Sequence, residues 1–396
     1  MIRHLLLMVT CVAVLGCDAS NPSKKSIVLW HAYRGAEAEA LVASAKRYNE
    51  LHPAQPLRLV ALPYDAFANK LRVAVPRGNG PDLFIFAHDQ VGDWARGGLI
   101  EPLDYWLTGD ELSVFLDETL NALVYHSTLY GLPMGFKTLA LYYDATLVDE
   151  VPATSQALLR QAAGAAKRSS EHWGIGFAVD SFYYHAPWLH AFEGQVLNEK
   201  QEVRVDSPGM RSSLAYMRRL LTDGLMPKGA AAAQIAALFK QRKLAFVIDG
   251  PWFENALRGH AKWGVAPLPE LSETGKALRP FLGVEALMLS ARSPVKEAAL
   301  IAARFITSDS EALSRWSTGR QLVANRAVYD RADVRNDHFA KAFRAQLSRT
   351  QPLSNDPMVR HLWSPLSRLL SQTIVRGKAV DNAILEAEKA IRKASQ

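Results

Sequence analysis

The chain has 396 residues, more than one hydrophobic core usually serves, and its 49% hydrophobic and 21% charged residues are ordinary for a globular protein, so two domains are expected. A formal charge of +7 raises nucleic acid as a partner, but the basic pairs Lys167-Arg168, Arg218-Arg219 and Arg242-Lys243 are scattered on helical patterns. They read as solvated helix faces, which argues against a polyanion groove.

Met1 to Gly16 reads as a secretory leader. Arg3 and His4 make a basic start, and the apolar run Leu5 to Leu15 is too short to cross a bilayer core of roughly 30 Å at about 1.5 Å per residue. The run ends in Val14-Leu15-Gly16-Cys17, which resembles the lipobox of bacterial lipoproteins, with Cys17 as the lipidated amino terminus. Asp18 resembles the residue that retains such lipoproteins at the inner membrane of Gram-negative bacteria. Cys11 leaves with the leader, so Cys17 has no intramolecular partner and disulfides contribute nothing to the fold. Polar residues 17–25 read as a flexible tether.

Beyond the tether, strand and helix alternate. Ile27 to Trp30 is a short apolar strand, and the loop His31 to Gly35 leads to a helix over Ala36 to Leu51. That helix carries Leu41, Ala45, Tyr48 and Leu51 at helical spacing and stops before Pro53. Leu57 to Leu62 is a strand, Ala66 to Val75 a helix, Gly78 to Pro81 a turn and Asp82 to Phe86 a third strand. This rhythm predicts parallel strands under covering helices, with ligands bound beyond the carboxyl ends of the strands, where Tyr33, Arg34, Phe86, His88 and Asp89 fall.

A second series follows Tyr130-Gly131-Leu132-Pro133. It has strand Leu139 to Tyr143, helix Ser155 to Arg168, strand Gly174 to Val179, and helices near His185 to Phe192 and Gly209 to Asp223. Helix Ala231 to Gln241 leads into strand Leu244 to Ile248, whose turn Asp249-Gly250-Pro251 delivers Trp252. The apolar run Phe281 to Val284 comes next, and the remainder reads as mainly helical, with helices over Met358 to Arg376 and Val380 to Lys393. The chain carries no P-loop, dinucleotide fingerprint, H-E-x-x-H zinc motif or G-x-S-x-G elbow, so no cofactor or catalytic role is expected and any ATP hydrolysis belongs to a partner.

Several segments together resemble the extracellular solute-binding proteins of ABC importers, in particular the maltose/maltodextrin-binding proteins. They are Leu29-Trp30-His31-Ala32-Tyr33-Arg34-Gly35, Gly80-Pro81-Asp82 with Phe86-Ala87-His88-Asp89, and Tyr130 to Pro133 through Leu141-Tyr142-Tyr143-Asp144. Asp249-Gly250-Pro251-Trp252, Gly264 to Pro269 and Pro280 to Val284 continue the series in family order. The resemblance implies an α/β, two-lobed periplasmic-binding-protein fold of type II, each lobe a mainly parallel sheet flanked by helices. It places the N-terminal lobe at residues 26–135 plus 285–331 and the C-terminal lobe at 140–280 plus 338–396, joined by crossings near Phe136 to Leu139 and Phe281 to Val284. It also implies a lipid-anchored monomer outside the cytoplasmic membrane that closes on a sugar such as a malto-oligosaccharide or trehalose. The closed form would hand the sugar to an inner-membrane permease with its ATPase subunit.

A sugar presents apolar C–H faces, which stack on aromatic rings, and a rim of hydroxyls, which needs paired donors and acceptors once water is excluded. By resemblance Asp89 and Arg34 are rim ligands with Tyr33 and Phe86 beside them, and Tyr183, Trp252 and Trp363 are stacking aromatics. Each has a structural alternative: core packing for the aromatics, a helix cap for Asp89, and a surface pair with Glu37 for Arg34. Lys137 stands where maltose binders carry a glutamate, and Ser181 where they carry another. A donor-only ammonium in place of an acceptor inverts the local demand, which leaves open an anionic or phosphorylated saccharide held by Lys137 and Arg34, as well as a lysine turned to solvent. Two further readings stand beside these: ferric-ion binding through Tyr183 and Tyr184, and a glycosidase using two of Asp89, Asp180 and Glu285.

Overall fold

The computed structural model describes residues 26–198 and 202–394; the expected leader 1–16, the lipidation site Cys17 and the tether 17–25 lie outside the described residues. The first strand, β1 (Ile27–His31), is buried almost throughout, as a central strand covered on both faces must be. Helix α1 (Gly35–Leu51) follows with its buried stripe Ala40, Leu41, Ser44, Ala45 and Tyr48, then β2 (Leu57–Ala61), α2 (Tyr64–Ala74) and β3 (Leu83–Ala87). β1 pairs in parallel with both β2 and β3. Asp82, at the entry to β3, accepts from the Val28 amide (2.9 Å) and the Ser293 hydroxyl (2.7 Å). The Gly80-Pro81-Asp82 motif therefore stitches the sheet rather than touching its ligand end.

Strand β4 (Leu132–Lys137) leaves this sheet and β5 (Ala140–Asp144) enters a second one. The second sheet is built with β6 (Trp173–Gly176), β7 (Leu244–Asp249) and β8 (Trp263–Ala266) in the order β8-β5-β7-β6. Strand β9 (Phe281–Leu289) then returns to the first sheet, between β3 and β4 and antiparallel to both. Strand β10 (Gln351–Pro352) pairs in parallel with Phe281 and Leu282. Strands that cross between sheets arrive from the opposite side, so both sheets are mixed; in the second only β6 and β7 run parallel. The expectation of mainly parallel sheets holds for the β1-α1-β2-α2-β3 series and fails where crossing strands join.

The expected helix over 358–376 breaks into a 3-10 turn (Pro357–His361), a short α-helix (Trp363–Leu370) and a π turn (Ser371–Val375). Pro365 has no amide hydrogen to donate and restricts the residue before it, so regular helix is confined to a segment that holds proline in its first turn.

The crossings are pinned by side chains. Thr138 donates to the Phe281 carbonyl (2.9 Å), joining the two strands where they pass. His88, buried at the end of β3, accepts at Nδ1 from the Val284 amide (3.0 Å) and donates from Nε2 to the Leu353 carbonyl (2.8 Å). The Val284 donor fixes this tautomer, since only an unprotonated Nδ1 can accept.

Two measurements follow from these contacts. His88→Phe leaves a buried amide and a buried carbonyl without partners and should lower unfolding stability by about 3 kcal/mol in urea titration; an unchanged midpoint would show that His88 does not hold the crossing. His185 is buried on the helix Phe182–Ala191, and burial, with help from His190, lowers its pKa to about 3. The unfolded chain takes up a proton near the ordinary value of about 6.5 that the folded chain refuses, so stability falls as pH drops from there toward the folded value. His185→Gln should flatten that acid-side slope by up to about 1.4 kcal/mol per pH unit between pH 6 and 4.

Candidate functional site

Between the two sheets runs a groove of about 770 Å³, lined by Arg34, Glu37, Lys137, Trp252, Glu254 and Arg320 among others. A recess of about 190 Å³ lies beside it, walled by Tyr33, Tyr64, Phe86 and Glu285. Glu37 and Lys137 line both spaces and so stand at their junction.

The first-sheet wall is a bonded network centred on Glu285, which β9 delivers opposite Ala87 of β3. The Glu285 carboxylate accepts from Lys137 Nζ at 2.8 Å, from the Tyr33 hydroxyl at 3.0 Å and from Gln321 Nε2 at 3.0 Å. Gln321 also donates to the Tyr33 oxygen at 2.9 Å. Lys137 makes a second ion pair with Glu37 at 3.8 Å, so Glu37 is engaged here rather than with Arg34. Burial pulls the Lys137 pKa down, and Glu285 and Glu37 more than offset it, so the ammonium stands above its ordinary value. Glu37 is raised by burial and by Glu285, against the opposing pull of Lys137.

Asp89 is the middle residue of the turn His88–Gln90 after β3, and burial raises its pKa against the pull of His88. Its Oδ1 is buried without a hydrogen-bond partner among the described residues. Phe86 is closed on both faces, stacked on Phe67 at 4.6 Å and on Tyr64 at 4.7 Å. The open ring on this wall is therefore Tyr64, 51% exposed, while Arg34 is exposed at the groove mouth.

The second-sheet wall is aromatic. Trp252 (42% exposed) stands 6.3 Å from Tyr183, Tyr183 stands 6.3 Å from Phe281, and Phe281 stands 6.1 Å from Trp363. Gly250 makes the first of these placements possible, because a Cβ there would meet the Trp252 ring at 2.3 Å. Asp249 holds the turn, accepting from the Gly250 amide (2.7 Å) and the Tyr184 hydroxyl (2.8 Å). At one end Arg320 bonds Glu254 (3.0 Å) and Asp337 (2.9 Å) while lying over Trp316 and Phe339, which ties the walls together beside Trp252. Trp363 lines a different cavity of about 390 Å³, with Phe182, His190, Arg279 and Leu353.

The structure thus brings Tyr33, Arg34, Phe86, Lys137 and Trp252 to the groove and its recess, sets Tyr183 against Trp252, and puts Trp363 at the far end of the aromatic row. Glu37, Tyr64, Phe281, Glu285, Arg320 and Gln321 join them from outside the sequence-derived set. Of these the sequence offers Glu37 only as a surface partner of Arg34, Phe281 only as the start of a crossing, and Glu285 only as a glycosidase carboxylate; a carboxylate receiving three donors is an acceptor instead, and Asp180 is exposed. Burial and Asp249 raise the Tyr184 pKa, and burial raises that of Tyr183, which disfavours the phenolates a ferric ion needs. Among the described residues no group of three or more His, Cys, Asp or Glu is placed to hold a metal ion.

The model of the family "Bacterial extracellular solute-binding protein" matches residues 34–312. The "Maltotriose-binding protein" of Pyrococcus abyssi is 26% identical over 367 residues, 91% of this chain and 80% of that protein. The "Maltooligosaccharide ABC transporter solute-binding lipoprotein" of Streptococcus pneumoniae is 24% identical over 340 residues, 82% of this chain and 79% of that protein. A crystal structure of a cyclo/maltodextrin-binding protein complexed with maltotetraose superposes with a TM-score of 0.86 at 26% identity, covering 96% of this chain and 99% of the other. Its two-lobed type II periplasmic-binding fold is the fold found here, and the chain belongs to the family of bacterial extracellular solute-binding proteins.

Proposed function

We propose that this protein captures a neutral malto-oligosaccharide or similar glucoside between its lobes and delivers it to the permease of an ABC importer whose ATPase is a separate subunit. The observation that carries the reading is the contrast between the walls. Trp252 and Tyr183 offer flat apolar rings from one side, and Glu37, Lys137 and Arg34 offer hydrogen-bonding charge from the other. A saccharide needs both at once, and the buried unpartnered oxygen of Asp89 is an acceptor suited to a hydroxyl. In this reading residues 26–135 with 285–331 form one lobe and residues 140–280 with 338–396 the other. Cys17 carries the lipid that holds a monomer at the outer face of the cytoplasmic membrane.

Closure turns binding into a signal. A ligand touching both walls gains contacts only when the lobes meet, and roughly 10⁴-fold preference, about 5.5 kcal/mol, moves such an equilibrium from mostly open to mostly closed. Several charge-assisted hydrogen bonds and a stacked ring supply that much.

Maltose, maltotriose and trehalose, each at about a hundred times its dissociation constant, should raise the melting temperature by about 4 °C for those that bind. Each should also change tryptophan fluorescence through Trp252. A folded protein that answers to no member of the panel refutes the reading. Trp252→Ala should weaken binding about 10- to 100-fold with little effect on melting, because the ring is half exposed. Asp89→Asn should weaken it about tenfold or more while leaving the free protein about as stable, since the charge of a carboxylate with one buried unpartnered oxygen is removed.

A further inference from the structure

We propose that Glu285 is the determinant that makes the recess beside Lys137 reject the anionic groups of a saccharide, by holding and neutralising Lys137. The inference rests on the saccharide-binding reading above and goes beyond it by naming the charge class admitted and the residue that sets it. A lone lysine in a sugar cleft is an anion receptor. Here Lys137 Nζ is bonded to Glu285 at 2.8 Å and paired with Glu37 at 3.8 Å. The ionisable side chains lining the recess beyond its tyrosines are one ammonium and two carboxylates, so this wall carries a formal charge of minus one rather than plus one.

Geometry makes Glu285 the stronger of the two partners. Its side-chain exposure is 16% against 30% for Glu37, and it also accepts from Tyr33 and Gln321, which fix it on the central crossing strand. The ammonium has three hydrogens, one committed to Glu285, and it lines both the groove and the recess. A neutral hydroxyl or ring oxygen can therefore take a remaining donor while the local field still repels a phosphate or carboxylate. Arg34, Arg258 and Arg320, at the wider groove, do not line the recess, and Arg320 is paired with Glu254 and Asp337.

The test is a change of charge selectivity in Glu285→Gln, which keeps the shape and removes the charge. Inorganic phosphate is titrated against chloride at constant ionic strength into wild type and variant, and binding is read by thermal shift and by ¹⁵N or intrinsic-fluorescence titration. The variant should bind phosphate about tenfold more tightly than wild type, and the gain should shrink as salt rises. Maltose and maltose 6-phosphate are then compared as a matched pair, and their affinity ratio should move toward the phosphorylated sugar by about tenfold or more in the variant. Glu285→Asp should restore wild-type selectivity. Equal phosphate affinity and an unchanged ratio in a folded variant overturn the proposal. If Glu285→Gln does not fold, Lys137→Gln reports from the other side: repulsion of phosphate should deepen, and an unchanged or tighter phosphate affinity overturns the proposal. If wild type ignores every saccharide, the functional reading fails while the phosphate comparison still decides the charge argument.

Discussion

The organisation of the molecule depends on one strand. Phe281–Leu289 begins in the aromatic cluster of the second lobe, where Phe281 packs against Phe182, Tyr183 and Trp363, and ends in the middle of the first sheet between Leu83–Ala87 and Leu132–Lys137. A strand inside a sheet cannot slip, because a shift of one residue would turn every side chain to the wrong face. The positions of Phe281 on one wall and Glu285 on the other are thereby set by a single stretch of backbone. His88 and Thr138 clamp that stretch from both sides, so the walls stay in register along the crossing.

Behind the cleft, charge alternates into the first lobe. Arg47 pairs with Glu311, and buried Arg315 feels the charges of Glu311 and Glu285. Arg315 is 1% exposed and donates to the carbonyls of Ile306 and Met134, so its cost of burial is offset by backbone as well as by acids. Lys137 and Glu37 continue the alternation to the groove. An array of this kind is stiff: moving one member exposes the charge of the next, which favours a preorganised wall.

Elements with strong periodicity were legible from the residues alone. The stripe of the first helix and the apolar runs of the strands carry their own pattern, and Trp252 stood out because Asp249-Gly250-Pro251 makes a turn at a strand end. The partners of Lys137 were not legible, since Glu285 lies 148 residues away and Tyr33 meets it across 252. A lone lysine reads as an anion site; the same lysine against a carboxylate reads as a donor, and only the fold brings the two together. Phe86 and Tyr64 show the same limit. The sequence offers Phe86 as the ring beside the rim ligands and passes over Tyr64, and which of the two keeps an open face is decided by the stacking of Phe86 on Phe67.

The late arrival of the crossing strand also governs the order in which the protein can assemble. The first sheet lacks its central member until residues near 289 have been made, and the edge of Leu83–Ala87 has no strand beside it before then. Contacts so distant in sequence close slowly, because the entropy of a long loop is lost before the contact gives anything back. A ribosome-bound fragment of the first lobe is thus held short of its compact state until that strand has emerged.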